Sequence, residues 1–563
     1  MQLSQSAIKV LERRFLTKDK NGNIVENPEQ MFERVARTIS GAEQDASSIE
    51  YGERFYKIMT NLEFLPNSPT LVNAGRELGQ LSACFVLPID DSMYSIFTTL
   101  RDAAIVQKSG GGVGFNFSNI RPAGDTVKST HRCAGGPVEF IKIYDRAIEP
   151  ISQGGVRRGA NMAVLRVDHP DILDFICCKE TEGTIPNFNI SVGISDDFMA
   201  AVRNNRLFDL INPRSGAVVK SVKAIELFDN IVQHAWKNGE PGVLFLDEIN
   251  RHNVIPHIGE IEATNPCGEQ PLLGYESCNL GSLNLGRFIK AKQMDWDRLQ
   301  YVTRLAVRFL DDVIDMNKYP LSQIETRTKT TRKIGLGVMG FADMLIKLGI
   351  KYDTDEALQK AHEVMKFIHD NALTASSELA ETRGVFPAYR GSVWCTEHGI
   401  RLRNACLTTI APTGTLSVIA NCSSGIEPYY SKTTKKHVLE TILEEEIEFA
   451  KEDSFITSHE ITPDWHVKIQ AAFQAHSDSA VSKTINFPES ATPEDVKHAY
   501  MLAFKLKCKG LTIYRDKSRQ KQVLTSEPEV NKEEICPQCQ APVIHEEGCI
   551  KCSACEWTVC KVG

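Results

Sequence analysis

Gly242-Val243-Leu244-Phe245-Leu246 is an unbroken apolar run, short enough to read as a strand buried on both faces. Ala83-Cys84-Phe85-Val86-Leu87 reads the same way. Helical patterns alternate with such runs. Leu299, Val302, Leu305, Phe309 and Val313 fall on one helix face. A longer helix is expected from the capping-box-like spacing of Asp353 and Glu356. It presents Leu358, Ala361, Met365, Ile368, Ala372 and Leu379, and stops at Gly384. Strands alternating with helices over residues 61–516 predict a large α/β domain. Periodicity alone does not say whether its sheet is open or closed.

Ahead of that domain, Ile8, Leu11 and Phe15 have helical spacing, and Asp19-Lys20-Asn21-Gly22-Asn23 reads as a turn. A second helix is expected from about Pro28 to Ser40, which makes residues 1–60 a short helical N-terminal cap. Beyond Tyr514-Arg515-Asp516 the chain becomes polar, so 517–535 reads as a linker and 536–563 as a cysteine-rich tail. No solenoid-type repeat is present.

The composition is that of a soluble globular protein, with 42% apolar and 24% charged residues among 563. A net charge of −8 argues against a general nucleic-acid binder. No run of about eighteen apolar residues predicts a membrane span. Met1-Gln2-Leu3-Ser4-Gln5 does not begin a secretory signal, so a cytoplasmic location is expected. In such a chain sixteen cysteines read as reactive or metal-binding thiols rather than disulfides.

Chemistry concentrates in Asn265-Pro266-Cys267-Gly268-Glu269, which sets an amide, a thiol and a carboxylate in one short turn. A second cysteine follows in Ser277-Cys278-Asn279-Leu280-Gly281. In the tail, Cys536-x2-Cys539 and Cys552-x2-Cys555 form two knuckles suited to tetrahedral zinc in a zinc-ribbon-like fold. Cys549 and Cys560 remain as redox candidates, and Cys549 also makes a Cys-x2-Cys with Cys552. Gly335-Leu-Gly337-Val-Met-Gly340 matches the dinucleotide fingerprint, but polar residues 326–332 precede it where a hydrophobic strand is required. Close helix packing is the expected role. Gly110-Gly111-Gly112-Val113-Gly114 is expected to let backbone approach a ligand. Pro412-Thr413-Gly414-Thr415, between a strand-like and a helical run, suits a phosphate, and Asn67-Ser68-Pro69-Thr70 makes a similar case. Asp464-Trp465-His466 is similar to the start of a cobalt-ligating Asp-x-His-x-x-Gly motif. Ile469 replaces its glycine, so a core or solvent-facing histidine is expected.

Taken in order, Leu65–Thr70, Ser82-Ala83-Cys84, Ser152–Gly159, Asn265–Glu269, Ser277–Ser282 and Ala411–Thr415 resemble the catalytic chain of a ribonucleotide reductase. The resemblance spans nearly the whole sequence and is closest to the adenosylcobalamin-dependent (class II) ribonucleoside-diphosphate reductases. It implies a ten-stranded α/β barrel with the 265–269 loop at its centre. It implies that Cys267 is the thiyl radical, Glu269 the general base, and Asn265 the residue holding the sugar hydroxyls. Cys84 and Cys278 would be the reductant pair that ends as a disulfide. Ser68, Ala83, Cys84, Gly112, the 265–269 loop with Pro266 and Gly268, and Pro412, Thr413, Gly414, Thr415 and Leu416 match substrate-binding positions. Asp91, Ser92, Arg121, Gln153, Arg157, Arg158 and Asn161 match effector-binding positions.

The class rests on discriminating residues. Oxygen-dependent large subunits carry a tandem tyrosine radical relay, whereas this chain has Gly510-Leu-Thr-Ile513-Tyr514. The glycyl-radical motif Arg-x-Cys-Gly-Tyr is absent from the tail. The implied cofactor is adenosylcobalamin, with zinc in the tail. The implied partners are a ribonucleoside diphosphate, a deoxynucleoside triphosphate or ATP effector, thioredoxin or glutaredoxin as reductant, and a second copy in a homodimer. No extra nucleotide-binding cone precedes the barrel, so overall activity switching by ATP and dATP is not expected. Two competing readings are an oxygen-dependent large subunit that needs a radical-generating partner and a catalytically silent nucleotide-sensing zinc-ribbon protein.

Overall fold

Ser4 starts the first helix, α1 (Gln5–Arg14), by accepting a hydrogen bond from the Ala7 amide at 3.1 Å. Its buried stripe is Ala7, Val10 and Leu11, with Phe15 just beyond. Ile8, expected on that face, lies at its edge and is 39% exposed. The expected turn forms around Gly22, at φ +84°. A capping box of Asn27 and Gln30 opens α2 (Pro28–Ile39). A third helix, α3 (Ala46–Thr60), carries Phe55 against Phe309, which also meets Phe64, at ring separations of 5.0 and 5.4 Å. The N-terminal helices thus share a core with the sheet. Next come α4 (Ser68–Asn73), α5 (Met93–Lys108) and α6 (Gly136–Gln153).

The computed structural model describes residues 1, 3–44, 46–127, 131–153, 160–438 and 441–518, and the backbone of 543–546, 549–552 and 558–560. Residues Met1–Gln520 form one unit and Lys521–Gly563 another. In the first, setting aside small outlying hairpins, the strands are β1 (Phe64–Pro66), β2 (Cys84–Leu87), β3 (Gly112–Asn116), β4 (Asn161–Arg166), β5 (Phe188–Ile194) and β6 (Gly242–Phe245). A small hairpin, β7 (Ala263–Thr264) and β8 (Pro271–Leu272), precedes β9 (Ser277–Asn284), β10 (Ile334–Met339), β11 (Thr484–Phe487) and β12 (Gly510–Arg515).

Ten of these strands make one sheet in the order β1-β9-β2-β3-β4-β5-β6-β12-β11, with β10 also on β9. Strands β2 to β6 run parallel, and the apolar runs at 83–87 and 242–246 supply two of them. The domain is therefore mixed α/β, as expected. Among the described residues the continuous ladder is not closed. Beyond β10 it passes through single parallel bridges, Leu336 to Thr408 and Ile410 to Val481, rather than through full strands.

The glycine fingerprint at 335–340 does not pack helices. Its first five residues lie inside β10, and a Cβ on Gly337 would stand 2.1 Å from the Thr409 carbonyl oxygen. The missing side chain lets two stretches of backbone cross closely, and it is not a nucleotide turn.

Helix α7 (Trp296–Met316) buries Leu299, Val302, Leu305, Phe309 and Val313 as expected. After α8 (Phe341–Leu348), the long α9 (Asp355–Arg383) ends at Gly384. Its N-cap is Thr354, one residue after the expected Asp353, because the threonine hydroxyl accepts the Ala357 amide. The short α10 (Gly414–Ala420) and α11 (Pro463–Gln474) follow. Among the described residues no helix is long and apolar enough to cross a membrane.

His466, on α11, is a core residue with 0% exposure. Burial, aided by the charge of Lys483, pushes its pKa well below the usual 6.5, against the pull of the Ser458 carbonyl. The unfolded chain therefore binds this proton at higher pH than the native chain does. Its contribution is present above the unfolded pKa and is lost as pH falls below it. Stability should drop between about pH 7 and about pH 5.5, by up to about 1.4 kcal/mol per pH unit for this proton. His466→Gln should flatten that part of the profile, read as the change in urea midpoint at the two pH values. An unchanged slope would remove His466 from the account.

Candidate active site

The turn 265–269 rides on the tip of the β7–β8 hairpin, whose strands pair Ala263 with Leu272 and Thr264 with Pro271. The turn closes on itself: the Asn265 amide donates to the Gln270 carbonyl at 3.1 Å, and the Gly268 amide to the Asn265 carbonyl at 3.0 Å. Gly268 holds φ +81°, which a glycine adopts without strain. Outside groups fix the turn. The Glu269 carbonyl accepts from the Ala480 amide at 2.9 Å and from Thr409 Oγ1 at 2.8 Å, and the Pro266 carbonyl from Asn189 Nδ2 at 2.9 Å. Beneath the hairpin, β3 passes so close that a Cβ on Gly114 would lie 1.7 Å from the Thr264 carbonyl oxygen. The glycine-rich stretch thus serves the chain's own backbone at Gly114, while Gly112 faces the cavity.

Asn265 and Glu269 are buried, whereas Cys267 is exposed at the tip. Asn265 Nδ2 donates to Cys84 Sγ at 3.0 Å, and that thiol lies 3.8 Å from Glu269 Oε1, within range for a sulfur donor. Cys84 and Cys278 are direct partners across the antiparallel β2–β9 pair, and neither is disulfide-bonded. Facing positions on adjacent strands suit a disulfide. Burial pushes the Cys278 thiol well above its usual pKa. Behind it Lys333 and Glu276 form a fully buried ion pair at 2.8 Å. Burial presses the Lys333 pKa down, but the Glu276 carboxylate with the neighbouring Cys406 and Cys278 together outweigh it and the net shift is upward.

A cavity of about 330 Å³ opens over these groups. Ser68, Ala83, Cys84, Gly112, Asn265, Pro266, Cys267, Glu269 and Pro412–Leu416 all line it. Gly268 and Cys278, also expected at the site, are not on its wall. Ser68 is the first residue of α4, capped by Asn67, whose side-chain oxygen accepts from the Thr70 amide at 3.0 Å. At the other phosphate candidate, Thr413 sits at φ +54° and its hydroxyl accepts from the Gly425 amide at 2.8 Å. A β-branched residue there costs about 1–3 kcal/mol, strain of the kind held at ligand sites. Arg14, Phe15, Leu78 and Lys108 line the cavity as well, and no sequence motif marks them.

Among the effector candidates, Arg121 and Asp91 form an ion pair at 2.8 Å, and Ser92 caps α5. Asn161 is fully buried and donates to the Asn187 carbonyl at 3.0 Å, so its amide serves the fold at the start of β4. Gln153 ends α6, and Arg157 and Arg158 lie outside the described residues. So do Cys536, Cys539 and Cys555. The tail backbone forms β13 (Val543–Glu546), β14 (Cys549–Cys552) and β15 (Thr558–Cys560), with Cys549 opposite Cys560. Ile513 is buried in β12.

Comparison with known proteins gives two matching domains. The ribonucleotide reductase all-alpha domain matches residues 1–79, and the ribonucleotide reductase barrel domain matches 82–401 and 395–514. The chain is 47% identical to a vitamin B12-dependent ribonucleoside-diphosphate reductase of Thermoplasma acidophilum, over 93% of this chain and 80% of the relative. It is 48% identical to a protein of the same description from Mycobacterium tuberculosis, over 93% and 81%. Identity to the ribonucleoside-diphosphate reductase subunit alpha of Chlamydia muridarum is 30%, over 76% and 48%.

Proposed function

The chain belongs to the ribonucleotide reductase family, and from that premise we propose that it reduces ribonucleoside diphosphates to 2′-deoxyribonucleotides in dependence on vitamin B12. One observation carries the reading. Cys84 touches both Asn265 and Glu269 in the cavity onto which Cys267 opens, and Cys278 stands opposite Cys84.

In this reading Cys267, as a thiyl radical, takes the 3′-hydrogen of the ribose. Glu269, buried and within reach, takes the 3′-hydroxyl proton. The 2′-hydroxyl leaves as water with a proton from the Cys84–Cys278 dithiol. The two thiols lose two electrons and two protons in all, one proton leaving in the water and the other ending on C2′, and are left joined as a disulfide; Glu269 returns its proton to the 3′-oxygen and Cys267 its hydrogen to C3′. Asn265 holds the sugar hydroxyls and orients Cys84. Ser68 and the Pro412–Leu416 turn hold the phosphates.

The exposed Cys267 sulfur and the apolar wall of Phe15, Val72 and Leu78 fit adenosylcobalamin seated over the cavity. Among the described residues no group of three or more His, Cys, Asp or Glu is arranged to hold a metal ion, and a corrin brings its own ligands to cobalt. Bound adenosylcobalamin supplies an organic radical able to withdraw the thiol hydrogen. The sheet is read as a barrel around the 265–269 turn, Asp91, Ser92 and Arg121 as part of an effector site, and the enzyme as a cytoplasmic homodimer. The tail is read as a zinc ribbon on Cys536, Cys539, Cys552 and Cys555, with Cys549 and Cys560 passing electrons from thioredoxin or glutaredoxin.

The test is turnover of a ribonucleoside diphosphate with adenosylcobalamin, a small dithiol and no second protein. Deoxynucleotide formation is expected. Activity only after adding a metal-containing radical subunit would overturn the cobalamin reading in favour of the two-component one.

A further inference from the structure

Among the described residues lining the cavity, the charged ones are Arg14, Lys108 and Glu269. Glu269 is engaged at the turn, and the hydroxyls and amides of Ser68 and Thr413–Thr415 carry no charge. A diphosphate seated on neutral donors alone gives up hydration without a counter-charge, which is costly. A cation on the cavity wall offsets that cost. Arg14 lies in the last turn of α1, and α1 packs against α10, the helix that begins at the phosphate turn.

The arginines around Arg14 have structural work. Arg34 is paired with Glu26 at 2.7 Å, and Arg76 holds the end of α1 through the Phe15 carbonyl at 2.7 Å and Thr17 Oγ1 at 2.9 Å. The Arg14 side chain is exposed and makes no hydrogen bond or ion pair among the described residues. Lys108 is exposed too, but it ends α5 and leads into Gly112, which packs against Pro266. The two cations therefore enter the cavity from different elements.

We propose that Arg14 binds the terminal phosphate of the ribonucleoside diphosphate and sets the preference of the site for diphosphate over monophosphate. The proposal rests on the ribonucleotide reductase reading above. The planar guanidinium presents paired N–H donors to two phosphate oxygens, which lysine does not reproduce.

Equilibrium dialysis of the full chain with cytidine diphosphate and cytidine monophosphate, without cofactor, tests it apart from turnover. Arg14→Ala should weaken diphosphate binding about 10- to 100-fold and monophosphate binding by less than about 3-fold, with Arg14→Lys between. Inorganic pyrophosphate should displace the diphosphate from wild type. Arg13→Ala, next in the chain but off the cavity wall, should leave diphosphate affinity within about 3-fold. Equal loss for both nucleotides, or no loss in Arg14→Ala, would overturn the assignment. A wild-type chain that binds neither nucleotide would instead remove the functional reading on which it rests.

Discussion

Replacing Cys267 with serine is expected to lower turnover by at least about 10⁴-fold while leaving substrate affinity close to wild type. The side chain is exposed at the tip of the turn and lines the cavity, so a serine is accommodated without repacking. What changes is the bond to hydrogen. A hydroxyl holds its hydrogen far more tightly than a thiol does, and the proposed reaction begins with a radical on that atom. The Asn265–Cys84 and Cys84–Glu269 contacts and the Gln270 amide's bond to Asn265 run between other atoms than the Cys267 sulfur. Dialysis with a ribonucleoside diphosphate and a turnover assay on the same preparation separate binding from chemistry. Turnover within tenfold of wild type would remove Cys267 from the reaction.

Gly114→Ala is expected to cost about 10²-fold in kcat/KM although residue 114 does not line the cavity. The added methyl would lie 1.7 Å from the Thr264 carbonyl oxygen, 2.7 Å from its carbon and 3.4 Å from the Asn265 nitrogen. All three are backbone atoms, so no side chain can rotate away. Relief requires the hairpin to move outward by more than about 1 Å, a misplacement of the size that costs about 10²-fold in well-positioned sites. Asn265 moves with it, and with Asn265 its contact to Cys84. Near-wild-type turnover at a temperature where circular dichroism shows the variant folded would sink this account.

Much of this was legible in the sequence, for a chemical reason. The proposed reaction needs a hydrogen-atom carrier, a base and a dithiol, and the residue types it would use at Cys267, Glu269, Cys84 and Cys278 are visible as motif. The buried strands at 83–87 and 242–246 and the face of α7 were visible because burial imposes a period. Less visible was whatever depends on contacts far apart in the chain. The 335–340 glycines read as helix packing because glycine erases the β-branched signature of a strand. What they serve is a crossing with Thr409, some seventy residues on. The capping group of α9 was displaced by one residue because threonine and aspartate satisfy the same amide. Asn161 matched an effector position, yet its amide closes a buried network at the start of β4. Arg14 belongs to no pattern, since one cation at a helix end gains meaning only when the fold brings that end to a cavity.

The facing placement of Cys84 and Cys278 has a consequence for recharging the enzyme. Only Cys84 borders the cavity; Cys278 is sealed behind it with 0% exposure. On the proposed assignment, an incoming thiolate meets one sulfur of the disulfide and not the other. The exchange then has a fixed direction: the mixed disulfide forms at Cys84, and Cys278 is the leaving sulfur. Expelling a thiolate into that interior is slow, because burial, Cys406 and the Glu276 and Glu269 carboxylates raise the Cys278 pKa and the Lys333 ammonium offsets only part of that. Access thus makes the dithiol a store of electrons recharged from the cavity side, with Cys84 as its point of entry.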